Sequence, residues 1–204
     1  MIKSKIMIKN CSAYILAGGK SERMGRNKAF LDINGVTFLE LVNKSLKNIF
    51  EHVYIVTKKD GISGYNNIIF DSLTQYSPLS GIYTALMHTD KDTVFIKACD
   101  NPIISEPMIM EMFGYALKYD IVVPKTFDGF HPLFAFYSKK TLPLIQEMVM
   151  QNNFKIISLY EKVNVKFYEE KDIKKFDPEL ITLKNINTPD EYQKFKSIIE
   201  GVSA

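Results

Sequence analysis

The chain has 204 residues, 46% hydrophobic and 24% charged, enough for one domain with a full core and typical of soluble globular proteins. Its formal charge of +3 comes from 26 basic and 23 acidic residues, too slight and too dispersed an excess for a nucleic-acid partner. Cys11 and Cys99 offer neither metal-ligand spacing nor a disulfide framework, which fits a reducing cytoplasm. "MIKSKIMIKNCS" lacks the apolar stretch of a signal peptide, and no run approaches membrane-span length, so no membrane partner is expected.

Residues 1–10 read as a flexible N-terminal tail, with Met7 an alternative start. "AYILA" (13–17) is a buried strand ending at Gly18. In "TFLELVNKSLKNIF" (37–50), Phe38, Leu41, Val42, Leu46 and Ile49 share one helical face, and Thr37 with Glu40 forms a capping box at its start. "HVYIVT" (52–57) and "NIIF" (67–70) are strands, followed by the helix "LSGIYTALMH" (79–88) and the strand "TVFIKA" (93–98). A helix follows Ser105, a plausible N-cap with Pro107 in the first turn.

Two strands come next, "DIVVP" (120–124) and "PLFAFYS" (132–138), then the helix "TLPLIQEMVMQ" (141–151) and a short helical stretch to Tyr160. "VNVKFYE" (163–169) and "ITLKNI" (181–186) read as strands, and "TPDE" (188–191) caps the closing helix. The mixed charges of "FYEEKDIKKFDPEL" (167–180) suggest a solvated, mobile loop. Alternating strands and helices with no linker predict a single α/β domain over 1–204: three layers, α/β/α, Rossmann-like, with a mostly parallel sheet. Ligands of such sheets bind beyond the strands' carboxyl ends, so the features after residues 17, 57, 70, 98 and 186 should converge.

One such feature is "LAGGKSERMGRNKAFL" (16–31), with glycines at 18, 19 and 25 and cations at 20, 23, 26 and 28. It is not a Walker A loop, because Tyr14 stands where that motif needs its first glycine. A dinucleotide fingerprint also fails, because Lys20 occupies the place of the second glycine. Adjacent Gly18 and Gly19 let backbone N–H groups approach an anion, and Arg23 and Lys28 add positive charge.

The loop resembles the signature L-A-G-G-x-x-x-R-M-G-x-x-K of the nucleotidyltransferases, and within them the molybdenum cofactor guanylyltransferase (MobA) family. "FDSL" (70–73), "SPLSGI" (77–82), "CDNP" (99–102), "HPLFAF" (131–136) and "NINTPDEY" (185–192) extend the resemblance over nearly the whole chain. It implies the fold of nucleotide-diphospho-sugar transferases and transfer of GMP from GTP to molybdenum–molybdopterin, with release of pyrophosphate. Alternatives are cytidylyl transfer to the same pterin, transfer to a sugar 1-phosphate, or a nucleotide-binding carrier for the pterin without turnover. Transient contact with pterin-cofactor carriers or molybdoenzyme chaperones is also implied.

The resemblance assigns Leu16, Ala17 and Gly18 to guanine and ribose, and Gly19, Arg23, Gly25 and Lys28 to the phosphates. Asp71, Pro78, Leu79 and Gly81 join the nucleotide site. Asp100 is the expected Mg²⁺ ligand and, with Arg23 and Lys28, carries catalysis. His131, Asn185 and Asn187 are expected on the acceptor side, and Lys97 and Lys125 offer charge to the same groove. Two positions depart from the family. Ser77 replaces the glycine that begins G-P-L-x-G, so that turn should shift, and Val56 stands where MobA has an asparagine, leaving Thr57 as the nearby hydrogen-bonding residue.

Overall fold

A computed structural model describes residues 7–18, 28–58, 62 and 64–200, without the side chains of 28 and 198–200. Its centre is β1 (Ile8–Leu16), which pairs in parallel with β4 (Phe50–Thr57) on one side and β6 (Thr93–Ala98) on the other. β5 (Ile68–Phe70) extends the sheet beyond β4. β9 (Phe134–Ser138) runs antiparallel between β6 and β7 (Ile121–Thr126), and β10 (Val165–Glu169) lies parallel to β7 at the far edge. The order is β10-β7-β9-β6-β1-β4-β5, with β8 (Gly129–Phe130) pairing β7. A small hairpin, β2 (Asp32–Ile33) and β3 (Val36–Thr37), precedes the first helix.

The near-continuous apolar strands follow from burial on both faces. Ala13 and Ile15 of β1 pack with Leu39, Val42 and Leu46 of α1 (Phe38–Lys47) and with Met108 and Met112 of α3 (Glu106–Ala116). The alternate residue Tyr14 packs on the opposite face with Leu79, Ile82 and Leu86 of α2 (Pro78–His88) and Ile145 and Met148 of α4 (Leu142–Met150). The expected capping box starts α1: Glu40 N–H donates to Thr37 Oγ1 (3.2 Å) and Thr37 N–H to Glu40 Oε2 (2.8 Å). Ser105 occupies the N-cap of α3 but makes no side-chain capping bond. No helix among the described residues is long and apolar enough to cross a membrane.

Three expectations are corrected. Residues 8–10 belong to β1 rather than to a tail: Ile8 is buried and its N–H donates to Ile49 O (2.8 Å). The segment 167–180 is not a solvated loop. It completes β10 and forms α6 (Glu170–Ile173), burying Tyr168, Ile173 and Asp177, while the Glu170–Lys174 and Asp172–Lys175 pairs stay on the surface.

Nor is 181–186 a strand. Ile181–Leu183 form a 3-10 turn after Leu180, which is left-handed at φ 55°. Asp177 fixes that turn by accepting from the N–H groups of Ile181 (2.9 Å) and Thr182 (2.7 Å). The β-branched composition of this segment is overridden because Leu183 and Ile186 are buried and its backbone groups bond instead to Asn101, Asp177 and Asp100 O. α5 (Ile157–Tyr160) matches the short helical stretch, and α7 (Pro189–Glu200) closes the chain, its Phe195 packing with Ile33, Phe38 and Ile186.

Candidate functional site

β1 and β6 lie side by side with Leu16 opposite Ala98, so the segments that leave them emerge together. Ala17 N–H donates to Val56 O (2.9 Å) and Cys99 N–H to Leu16 O (3.2 Å), carrying the pairing one residue past each strand. Gly18 is exposed, and a Cβ placed on it would lie 3.5 Å from Lys58 N. Gly19, Arg23 and Gly25 lie outside the described residues. Lys28 begins a 3-10 turn, Lys28–Phe30, and its side chain is likewise outside them. Across from Gly18, Asp100 is partly buried, and its Oδ1 is buried with no hydrogen-bond partner among the described residues. A carboxylate oxygen left this way is costly unless a ligand satisfies it.

Asp100 lines a cleft of about 160 Å³ together with Lys97, Pro78, His131, Phe134 and Asn185. The wall carrying His131 is delivered by the antiparallel strand β9, which begins where the parallel strands end. His131 is held by a 2.8 Å bond between Nε2 and Thr126 Oγ1, and its N–H donates to Pro124 O (2.9 Å). Burial lowers its pKa below the usual histidine range, with Asp128 opposing weakly, so the imidazole is neutral at pH 7. Lys97 is buried, and Lys125 instead stands on the surface near the rings of Phe130 and Phe167.

Asp71 is placed differently from Asp100. Thr57 pairs with Phe70, so the next residues, Lys58 and Asp71, meet at the strand ends in a 2.9 Å ion pair. Asp71 Oδ1 also accepts from Thr84 Oγ1 of α2 (2.9 Å) and from Leu73 N–H (3.1 Å). Lys58 Nζ donates to the carbonyls of Leu73 and Gln75 and lies 5.0 Å from the Tyr76 ring centroid. Asp71 therefore organises the loop into α2. Sequence reasoning missed Lys58 and Thr84, and the only signal was a cation directly after one strand and an acid directly after the next.

Ser77 does what a glycine there could not. Its Oγ caps α2 by accepting from Ser80 N–H (3.2 Å), with Pro78 in the first turn. Pro78 faces the cleft, whereas Leu79 is fully buried in the core. A Cβ on Gly81 would lie 2.8 Å from Leu16 Cδ1, so the absence of a side chain there leaves room for Leu16 against α2. Val56 and Thr57 are both buried in β4, and Thr57 O accepts from Asp71 N–H (2.8 Å).

The two asparagines separate. Asn185 lines the cleft, while Asn187 is not among its described lining residues. Asn187 N–H donates to Glu191 Oε2 (2.7 Å), and Thr188 Oγ1 caps α7 at Glu191 N–H (3.2 Å). Asn101, noted in the sequence only as a member of "CDNP", holds this wall in place. Buried, it donates through Nδ2 to Ile181 O and Lys184 O, both at 2.6 Å, and accepts from Ile103 N–H at 2.8 Å. Asp100 O in turn accepts from Ile186 N–H (3.3 Å).

Comparison with known proteins assigns this architecture to the nucleotidyltransferase class of enzymes. The chain belongs to the MobA-like NTP transferase family, whose model matches residues 13–164. It is 34% identical to a molybdenum cofactor guanylyltransferase of Desulfosudis oleivorans, covering 92% of this chain and 95% of that one. It is 36% identical to a probable molybdenum cofactor guanylyltransferase of Clostridium perfringens, covering 92% and 96%. Among solved structures, molybdopterin-guanine dinucleotide biosynthesis protein A from Archaeoglobus fulgidus superimposes with a TM-score of 0.82 at 26% identity, covering 95% of this chain and all of that one.

Proposed function

We propose that the protein transfers GMP from GTP to molybdenum–molybdopterin, in the biosynthesis of the molybdenum cofactor. The observation that carries this reading is Asp100 Oδ1, buried without a hydrogen-bond partner among the described residues at the end of β6, beside the start of the glycine-rich loop. The relatives' name, molybdenum cofactor guanylyltransferase, supports guanylyl transfer in molybdenum cofactor biosynthesis. An oxygen of the acceptor's phosphate attacks the α-phosphorus of GTP, the bond from that phosphorus to the α–β bridging oxygen breaks, and pyrophosphate leaves with the electron pair. The protein's part is positioning and charge neutralisation.

The backbone at Leu16, Ala17 and Gly18 borders guanine and ribose, and Gly19, Arg23, Gly25 and Lys28 surround the phosphates. Pro78, Leu79 and Gly81 shape the nucleotide pocket, the last by admitting Leu16. Asp71 acts by tethering the loop before α2. His131 and Asn185 border the acceptor, with Asn187 two residues on, just before α7.

Asp100 fits Mg²⁺. No cluster of three or more His, Cys, Asp or Glu suited to a metal occurs among the described residues, and Mg²⁺ is typically held by one or two carboxylates with phosphate and water oxygens. When bound, Mg²⁺ supplies charge neutralisation at the phosphates. In the cell, the product passes by transient contact to pterin-cofactor carriers or molybdoenzyme chaperones in the cytoplasm.

A thermal-shift screen of GTP, CTP, ATP and UTP with Mg²⁺ tests base choice, because a ligand of the folded state raises Tm by mass action. GTP alone should stabilise strongly; preference for CTP would redirect the reading to cytidylyl transfer. Pyrophosphate release should then require the pterin, and binding without release would indicate a carrier.

A further inference from the structure

Lys97 lies near the end of β6, paired with Ile15 of β1 and Phe134 of β9. It is only 3% exposed, yet it lines the cleft. No described carboxylate lies within the 4.0 Å of a salt bridge, and no described group hydrogen-bonds its ammonium. Its ammonium lies over the Phe134 ring, whose centroid is 5.8 Å from Nζ. Burial pushes its pKa down, and Asp100 offsets this only in part. Buried ions are normally paired, because an isolated one is costly. Opposite charges thus line one cleft without touching: an ammonium, and a carboxylate whose Oδ1 likewise has no partner among the described residues.

We propose that Lys97 binds the acceptor, donating from Nζ to the anionic oxygens of its phosphomonoester group. The inference rests on the nucleotidyltransferase reading and adds a specificity-determining residue to it. A lysine ammonium offers three donors and no acceptor, which suits a phosphate approached as a point charge. Most of the wall around Lys97 is distinct from the segments read for the nucleotide, with Pro78 the residue the two share. The glycine-rich loop leaves β1 on one side of Asp100, whereas Lys97 faces the wall built from residues 130–134 and 182–185. The incoming phosphate must approach a polyanionic triphosphate, and a fixed cation on the acceptor side reduces that repulsion.

The test uses inorganic phosphate as the probe, with and without a non-hydrolysable GTP analogue and Mg²⁺, and NMR of lysines labelled with ¹³C at Cε. One lysine resonance, assigned by its loss in Lys97→Met, should shift saturably with phosphate. Phosphate affinity should fall about tenfold or more in Lys97→Met, the usual scale for a lost charged hydrogen bond. In turnover, the KM for the pterin should rise by a similar factor while the KM for GTP stays within about twofold.

Lys97→Arg, which keeps the charge, should retain more phosphate affinity than Lys97→Met. If Lys97→Met does not fold, Lys97→Arg supplies the assignment and the wild-type titration decides. A silent Lys97 resonance, or unchanged phosphate affinity in Lys97→Met, overturns the inference and leaves the GTP reading standing. An analogue that fails to raise Tm overturns the GTP reading instead, and the lysine's response to phosphate alone still decides the role of Lys97.

Discussion

Replacing Asn101 with alanine should loosen the acceptor wall without touching the nucleotide. Asn101 makes three hydrogen bonds, two to carbonyls of the 181–184 segment and one from Ile103 N–H. Each contributes about 1 kcal/mol net, so the loss is about 3 kcal/mol, and more if the stranded groups stay dry. For a chain of this size that corresponds to a fall in Tm of about 6–12 °C. Urea unfolding reads the first quantity and calorimetry the second.

Asn101→Asp should be worse near neutral pH, because it removes both donors and sets a carboxylate against two carbonyl oxygens. The acceptor KM should rise in Asn101→Ala while GTP binding holds, since Asn185 follows the clamped segment. Destabilisation below about 1 kcal/mol would refute the clamp, as it would mean that water replaces all three bonds without penalty.

Gly81→Ala should displace Leu16 and weaken nucleotide binding, with an overpacking cost of about 1–3 kcal/mol in urea unfolding. Lys28→Ala should lower kcat by about 10²-fold with the circular dichroism spectrum unchanged, the scale of one lost donor to the transferring group. Asp100→Asn should abolish Mg²⁺-dependent turnover yet leave Tm unchanged or higher, because Oδ1 has no hydrogen-bond partner among the described residues. His131 has a lowered folded-state pKa, so the unfolded chain takes up its proton first. Stability from this residue is therefore present above about pH 6.5 and is lost as pH falls through the folded value. The difference in urea midpoint between wild type and His131→Gln, followed from pH 7.5 to 5, should shrink accordingly.

The layers and the meeting point at the strand ends were legible because they rest on periodicity. "TVFIKA" coincides with β6, and the Thr37–Glu40 capping box forms as written. What escaped was decided by tertiary contacts. Nothing local in "ITLKNI" says that Asn101 and Asp177 will take its backbone groups and deny it a ladder. The charges of 167–180 hid Tyr168 and Ile173, whose spacing turns them inward only once β10 is placed. Asp71 was recognisable as a strand-end acid, but its ties to Lys58 and Thr84 need the β4–β5 register and α2. Lys97 read as mere charge, because its isolation depends on apolar neighbours from two other strands.

The reversed direction of β9 gives the molecule a seam. On one flank, β1, β4 and β5 end in the segments proposed to hold the nucleotide. On the other, the turn from β7 into β9 returns to the same rim from the opposite sense, with Asp100 at the join. Transplanting residues 126–134 from a relative should consequently exchange preference for the second substrate while leaving the first untouched, so that one half of the sheet can diversify under a constant triphosphate grip.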